Sequence, residues 1–127
     1  LTNSIPLLWG AIERLVKKQS ESKYDEFITR CAFLYKNDLF VKNLLELIRV
    51  HRNNFVHNGV EKDALAKLYL IELVKIYKDV FSFHLKQAKK KYSFEDAIEI
   101  LSCPKDIMVL KNKMKYIESA ISFISPK

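Results

Sequence analysis

Hydrophobic residues return every three to four positions from one end of this chain to the other, and only two glycines and three prolines interrupt them. That period puts apolar side chains on one stripe of an α-helix. So few chain breakers do not suit a many-turned sandwich or barrel, and they disfavour glycine-rich phosphate loops. The expectation is all-α: one bundle-like domain of five to six helices spanning residues 1–127.

The stripes give the helices one by one. Ile5, Leu8, Ile12 and Leu15 form the first, with Ser4 as cap, Pro6 in the first turn and an end near Gln19. A second runs from about Tyr24 to Lys36, opened by a capping-box-like Ser22 and Asp25. Asn37-Asp38 starts a third, carrying Phe40, Val41, Leu44, Leu45 and Ile48 into the segment Arg49 to Gly59. A fourth runs from about Glu61 to Lys91. Its two adjoining apolar stripes, one through Leu65, Leu73 and Val80 and the other through Ala66, Val74 and Phe81, predict a long central helix covered on two sides. Ser93 with Asp96 opens a short fifth helix that Pro104 ends. In the last, Ile107, Leu110, Met114, Ile117, Ile121 and Ile124 follow alternating three- and four-residue steps, a narrow seam of coiled-coil type.

Composition removes several function classes. No apolar run approaches the roughly 18 residues of a membrane span, and neither the Rossmann nor the Walker glycine pattern is present. Cys31 and Cys103 stand far apart with no C-x-x-C, so a local zinc site is not expected and a reduced, cytoplasmic setting is the plain reading. His51 and His57 lack a nearby third ligand, so no metal and no cofactor are expected. The net charge of +7 favours a polyanionic partner. The start at Leu1 rather than Met leaves open an excerpt of a longer chain.

The odd place is the end of the third helix, Arg49-Val50-His51-Arg52-Asn53-Asn54-Phe55-Val56-His57-Asn58-Gly59, which holds two of the three histidines. The stripe Val41, then Leu44 or Leu45, then Ile48 calls for an aliphatic residue next and finds Arg52. A guanidinium stays charged, so it must reach water, pair with a carboxylate such as Glu13 or Glu72, or face a cleft that receives an anion. His57 follows five positions later, about 140° around an uninterrupted helix. The two then line one cleft only if the helix loosens before Gly59 or if two copies meet across a two-fold axis. Histidine titrates near neutral pH and suits general acid–base work.

Arg52-Asn53-Asn54-Phe55-Val56-His57 resembles the signature of the HEPN superfamily: an arginine, a polar residue after it, and a histidine a few positions on. Asn58-Gly59 is similar to the Val-His-x-Gly ending of several HEPN groups, and Leu8 to Leu15 is similar to the first-helix acidic segment of Apea-like HEPN domains. The resemblance implies a metal-independent endoribonuclease that works as a homodimer, with the two motifs facing each other, in antiviral defence or a toxin system. Carried onto this chain, Arg52 would bind and polarise the scissile phosphate, for which a planar, bidentate donor is suited. His57 would move protons, activating the ribose 2′-hydroxyl or protonating the leaving 5′-oxygen, and Asn53 would orient the pair. Attack by the 2′-oxygen leaves a 2′,3′-cyclic phosphate. HEPN toxins silenced by a nucleotidyltransferase carry a Tyr two residues after the histidine; Gly59 stands here, so that regulation is not expected.

Arg49, His51, Asn54 and the run Lys89-Lys90-Lys91 are the candidate substrate-binding residues. Arg49 stands one turn before Asn53, and His51 flanks Arg52. The lysine run either tracks an RNA backbone or is a solvated helix end. An antitoxin or a sensor domain is a further expected partner. Two other readings stand beside the ribonuclease: a non-catalytic helical module that dimerises or binds RNA or a protein, and the effector domain of a larger sensor protein.

Overall fold

The computed structural model describes residues 4–18, 25–58 and 63–126, without the side chains of residues 25, 54–58 and 63. The described residues form six helices and no strand: α1 (Ser4–Val16), α2 (Asp25–Ala32), α3 (Asp38–Asn58), α4 (Asp63–Lys89), α5 (Phe94–Leu101) and α6 (Ile107–Ile124). The all-α expectation holds. The proposed Ser22–Asp25 cap of α2 lies outside the described side chains. α2 is shorter than its apolar pattern predicts, because Phe33 to Asn37 leave the helix in a turn.

The core is built by one stripe from each of the first five helices. On α1 the buried residues are Ile5, Trp9, Ile12 and Val16. This corrects the stripe Ile5, Leu8, Ile12, Leu15 by a rotation of the helix. Trp9 and Val16 take the inner positions, while Leu8 and Leu15 are half-buried beside them. The cause is Trp9, whose ring stacks on Phe27 of α2 at 4.5 Å between centroids; the larger apolar area goes inward first. α3 contributes Val41 and Ile48 as its period predicts, and of the two leucines between them Leu45 is the buried one. α4 contributes Ala66, Leu73, Ile76 and Val80 and packs mainly on α1, and also on α5. Its second apolar stripe is only partly covered: Val74 and Phe81 are exposed. The expectation of a helix covered on both sides holds only in part: Ala66 is buried and Leu70 and Tyr77 are half-buried, while Val74 and Phe81 stay open.

Three polar ties fix the end of the bundle where α1 stops. Ser93 and Asp96 close a full capping box at the start of α5, as the sequence predicts. His84 Nε2 donates to the Leu15 carbonyl oxygen at 2.6 Å while its ring stacks on Phe94. Arg30, buried on α2, donates from Nε to Ser102 Oγ at 2.8 Å and from Nη1 to the Val16 carbonyl at 2.7 Å. Arg30→Met would strip donors from both acceptors, so it is expected to cost about 2–4 kcal/mol, read as a drop in the urea midpoint at unchanged slope.

Burial also governs the cysteines. Cys31 is fully enclosed, which pushes its thiol up to about 12, whereas Cys103 is exposed. At pH 8 a thiol reagent should modify Cys103 rapidly and Cys31 only on unfolding. Because the folded state holds the Cys31 proton longer than the unfolded chain does, its contribution to stability is intact below about pH 9 and is lost as pH rises toward about 12. Tyr35 acts in the same direction. Burial, together with its hydrogen bond to Asp79 Oδ2 at 2.6 Å, raises its hydroxyl well above the usual tyrosine range.

Candidate functional site

α3 stays helical from Asp38 through Asn58. The segment therefore does not loosen before Gly59, which itself lies outside the described residues. Arg52 and His57 then stand about 140° apart around one helix axis. Within a single copy they do not share a helix face. The His57 and Asn54 side chains lie outside the described part.

Arg52 arrives where the stripe Val41, Leu45, Ile48 delivers it: at the edge of the core, half-buried, against α1. Its Cζ lies 5.7 Å from the centroid of the Trp9 ring. Phe27, Trp9 and Arg52 thus form a cluster in which a buried indole stacks on a phenyl ring and also carries the guanidinium. A cation over an indole is held with about 0.5–2 kcal/mol, depending on how dry the site is. Glu72, one of the two carboxylates expected as partners, is instead in reach of Lys75 at 3.4 Å. No carboxylate among the described residues pairs with Arg52.

Three nitrogens in this region are buried without a hydrogen-bond partner among the described residues: Arg52 Nε, Trp9 Nε1 and His51 Nε2. The first two can only donate. Buried donors of this kind cost about 1–3 kcal/mol each if left unmet, and native folds rarely leave them so. The His51 ring meets Tyr69 of α4 edge-on at 5.2 Å, so it turns toward α4 while Arg52 turns toward α1. Asn53 is half-buried beside them.

The remaining candidates are not gathered here. Arg49 is engaged along its own helix by Glu46, at 2.8 Å and 3.1 Å. Lys89 ends α4, and Lys90 and Lys91 form the turn after it, with Lys91 in the left-handed region at φ 66°. Twenty residues of helix separate Lys89 from Tyr69, about 30 Å at the α-helical rise. The lysine run therefore lies at the opposite end of α4 from the arginine. All three side chains are exposed, which agrees with a solvated helix end.

Two residues of the site escaped the sequence reading, Trp9 and Tyr69. The signal for Trp9 was available in the alternative stripe Ile5, Trp9, Ile12, Val16, which places an indole on the buried face near the start of α1. Tyr69 stands on the apolar stripe of α4 between Leu65 and Leu73, but its contact with His51 depends on where α4 crosses α3. Among the described residues, no three His, Cys, Asp or Glu side chains come together in a metal-binding group. No described helix is long and apolar enough to cross a membrane.

Comparison with protein-family models, with curated proteins and with solved structures finds no match to this chain.

Proposed function

We propose that the chain is a HEPN-like, metal-independent endoribonuclease whose active site is completed by a second copy. The observation that carries this reading is Arg52: a permanently charged, half-buried guanidinium held over Trp9, without a carboxylate partner among the described residues and with an unmet Nε donor. Such a group is prepared for an anion that comes and goes. In the proposed reaction Arg52 binds the scissile phosphate and stabilises the charge that grows on its oxygens. One His57 takes the proton of the ribose 2′-hydroxyl. The 2′-oxygen attacks phosphorus, and the second His57 gives a proton to the departing 5′-oxygen. The products are a 2′,3′-cyclic phosphate and a 5′-hydroxyl. The continuous helix through Asn58 supports the two-copy arrangement, since Arg52 and His57 of one copy do not share a face. Antiviral defence or a toxin system, with an antitoxin or sensor as partner, is the role that the HEPN-like motif suggests.

The test is incubation of an end-labelled single-stranded RNA with the chain in excess EDTA. Cleavage to fragments ending in cyclic phosphate supports the reading. An intact RNA in the presence of a folded, dimeric chain removes it. The second reading, a non-catalytic module that dimerises or binds a partner, is favoured by one observation, the apolar face that α6 leaves uncovered.

A further inference from the structure

No residue of α6 is buried, although this helix carries the most regular apolar spacing in the chain. Ile107, Met114, Ile117, Ile121 and Ile124 are each more than half exposed, and only Leu110 is half-covered. The first five helices already close a core around Trp9, Leu45, Leu73 and Leu101 without it. α6 is also well made as a helix, with Asp106 Oδ1 accepting from the Met108 and Val109 amides. A stable helix with a bare seam needs a cover.

The geometry points to α6 of a second copy, paired in parallel and in register. The six seam residues occupy alternating a and d positions of a heptad, Ile107, Met114 and Ile121 at a, and Leu110, Ile117 and Ile124 at d. The flanks then decide the occupant. In a parallel pair, a g residue faces the e residue five positions later on its partner. Lys113 meets Glu118 twice by symmetry, and the Asp106 N-cap, whose Oδ2 takes no part in the cap, stands beside Lys111 at the helix start. The outermost positions, Asn112 and Ser119, are polar, as the solvent side of a two-stranded coil requires. An antiparallel pair sets Lys111 against Glu118, also twice, and Lys113 against Ala120, so the Asp106 carboxylate beside Lys111 at the helix start is what favours the parallel register. Covering six aliphatic residues on both copies removes on the order of 1,000 Å² from water, and the flanking lysine stems bring this to the lower range of a stable interface. The pairing is argued from α6 alone and does not rest on the proposed function, although that reading also requires a second copy.

Sedimentation of the full chain at low micromolar concentration tests it. Wild type is expected at twice the chain mass. Ile117→Lys with Ile121→Lys should give a monomer that still melts cooperatively and loses only the concentration-dependent part of the wild-type melting temperature, because no residue of α6 is buried in its own bundle. Lys113→Glu should weaken the dimer by roughly tenfold, and adding Glu118→Lys should restore it. That rescue is specific to the parallel register, since in the antiparallel one Glu118→Lys sets a new positive charge against Lys111. A monomeric wild type, a dimer indifferent to the two seam substitutions, or a failed rescue overturns the proposal. Sedimentation reads mass and the EDTA assay reads cleavage, so the two readings fail separately. A dimer that cuts nothing removes the ribonuclease, a cutting dimer indifferent to the seam substitutions removes only the α6 pairing, and a monomer that cuts RNA removes both the pairing and the two-copy site.

Discussion

His57→Ala is expected to abolish cleavage of RNA in EDTA while leaving the chain folded and dimeric. General acid–base assistance is worth about 10²–10⁴ in rate, and here both proton transfers are assigned to copies of the same residue. Loss in a homodimer therefore compounds. Mixing excess His57→Ala chains into wild type should depress activity as mixed dimers form. Arg52→Lys separates charge from shape at the partner position. It keeps the positive charge but loses the planar fork that grips two phosphate oxygens and lies flat on an indole. A fall in kcat far larger than the change in melting temperature would mark Arg52 as a group acting on the reacting phosphate. The stack on Trp9 accounts for only about 0.5–2 kcal/mol of stability. A module that merely binds would leave His57→Ala nearly silent. Its losses would come instead from Lys89→Ala or Lys111→Ala, with a weaker salt dependence of RNA binding.

Trp9→Ala is expected to lower stability by about 3–5 kcal/mol. That is a large share of the roughly 5–15 kcal/mol that holds a domain together. Trp9 is 2% exposed, stacks on Phe27 and supports Arg52, so its loss opens a cavity and frees the guanidinium together. Urea denaturation would show the midpoint falling. Trp9→Phe tests the finer point: it keeps an aromatic face under Arg52 and deletes the buried Nε1 donor, which has no partner among the described residues. Deleting an unmet donor offsets part of the lost packing, so the expected cost is about 1–2 kcal/mol. A cost as large as that of alanine would mean that the indole nitrogen is satisfied in solution.

The helices themselves were legible because helix formation is read from neighbours three and four residues apart. The period through Val41 and Ile48 marked the inner face of α3, and the Ser93–Asp96 box marked the start of α5. The same stripe exposed Arg52 as a charge in an aliphatic slot. These are local facts, fixed by the 3.6-residue turn.

Partners across the bundle were not legible. Glu13 and Glu72 were equally reasonable neighbours for Arg52 by spacing, yet the guanidinium lies over Trp9, because α1 turns its indole inward to meet Phe27. Which of two adjacent stripes faces the core depends on how the largest side chain packs against a helix distant in sequence. Arg49 and the lysine run were both candidate substrate-binding residues in the sequence. The intrahelical pair with Glu46 and the length of α4 separate them. The order of residues alone dictates a run of helices, their apolar stripes and the misplaced arginine, since each follows from the helical repeat. The packing of those helices against one another is what rests Arg52 on Trp9, leaves Val74 and Phe81 open and strands the seam of α6 in solvent. Contacts between helices are set by which faces reach each other in space, and no local period encodes that.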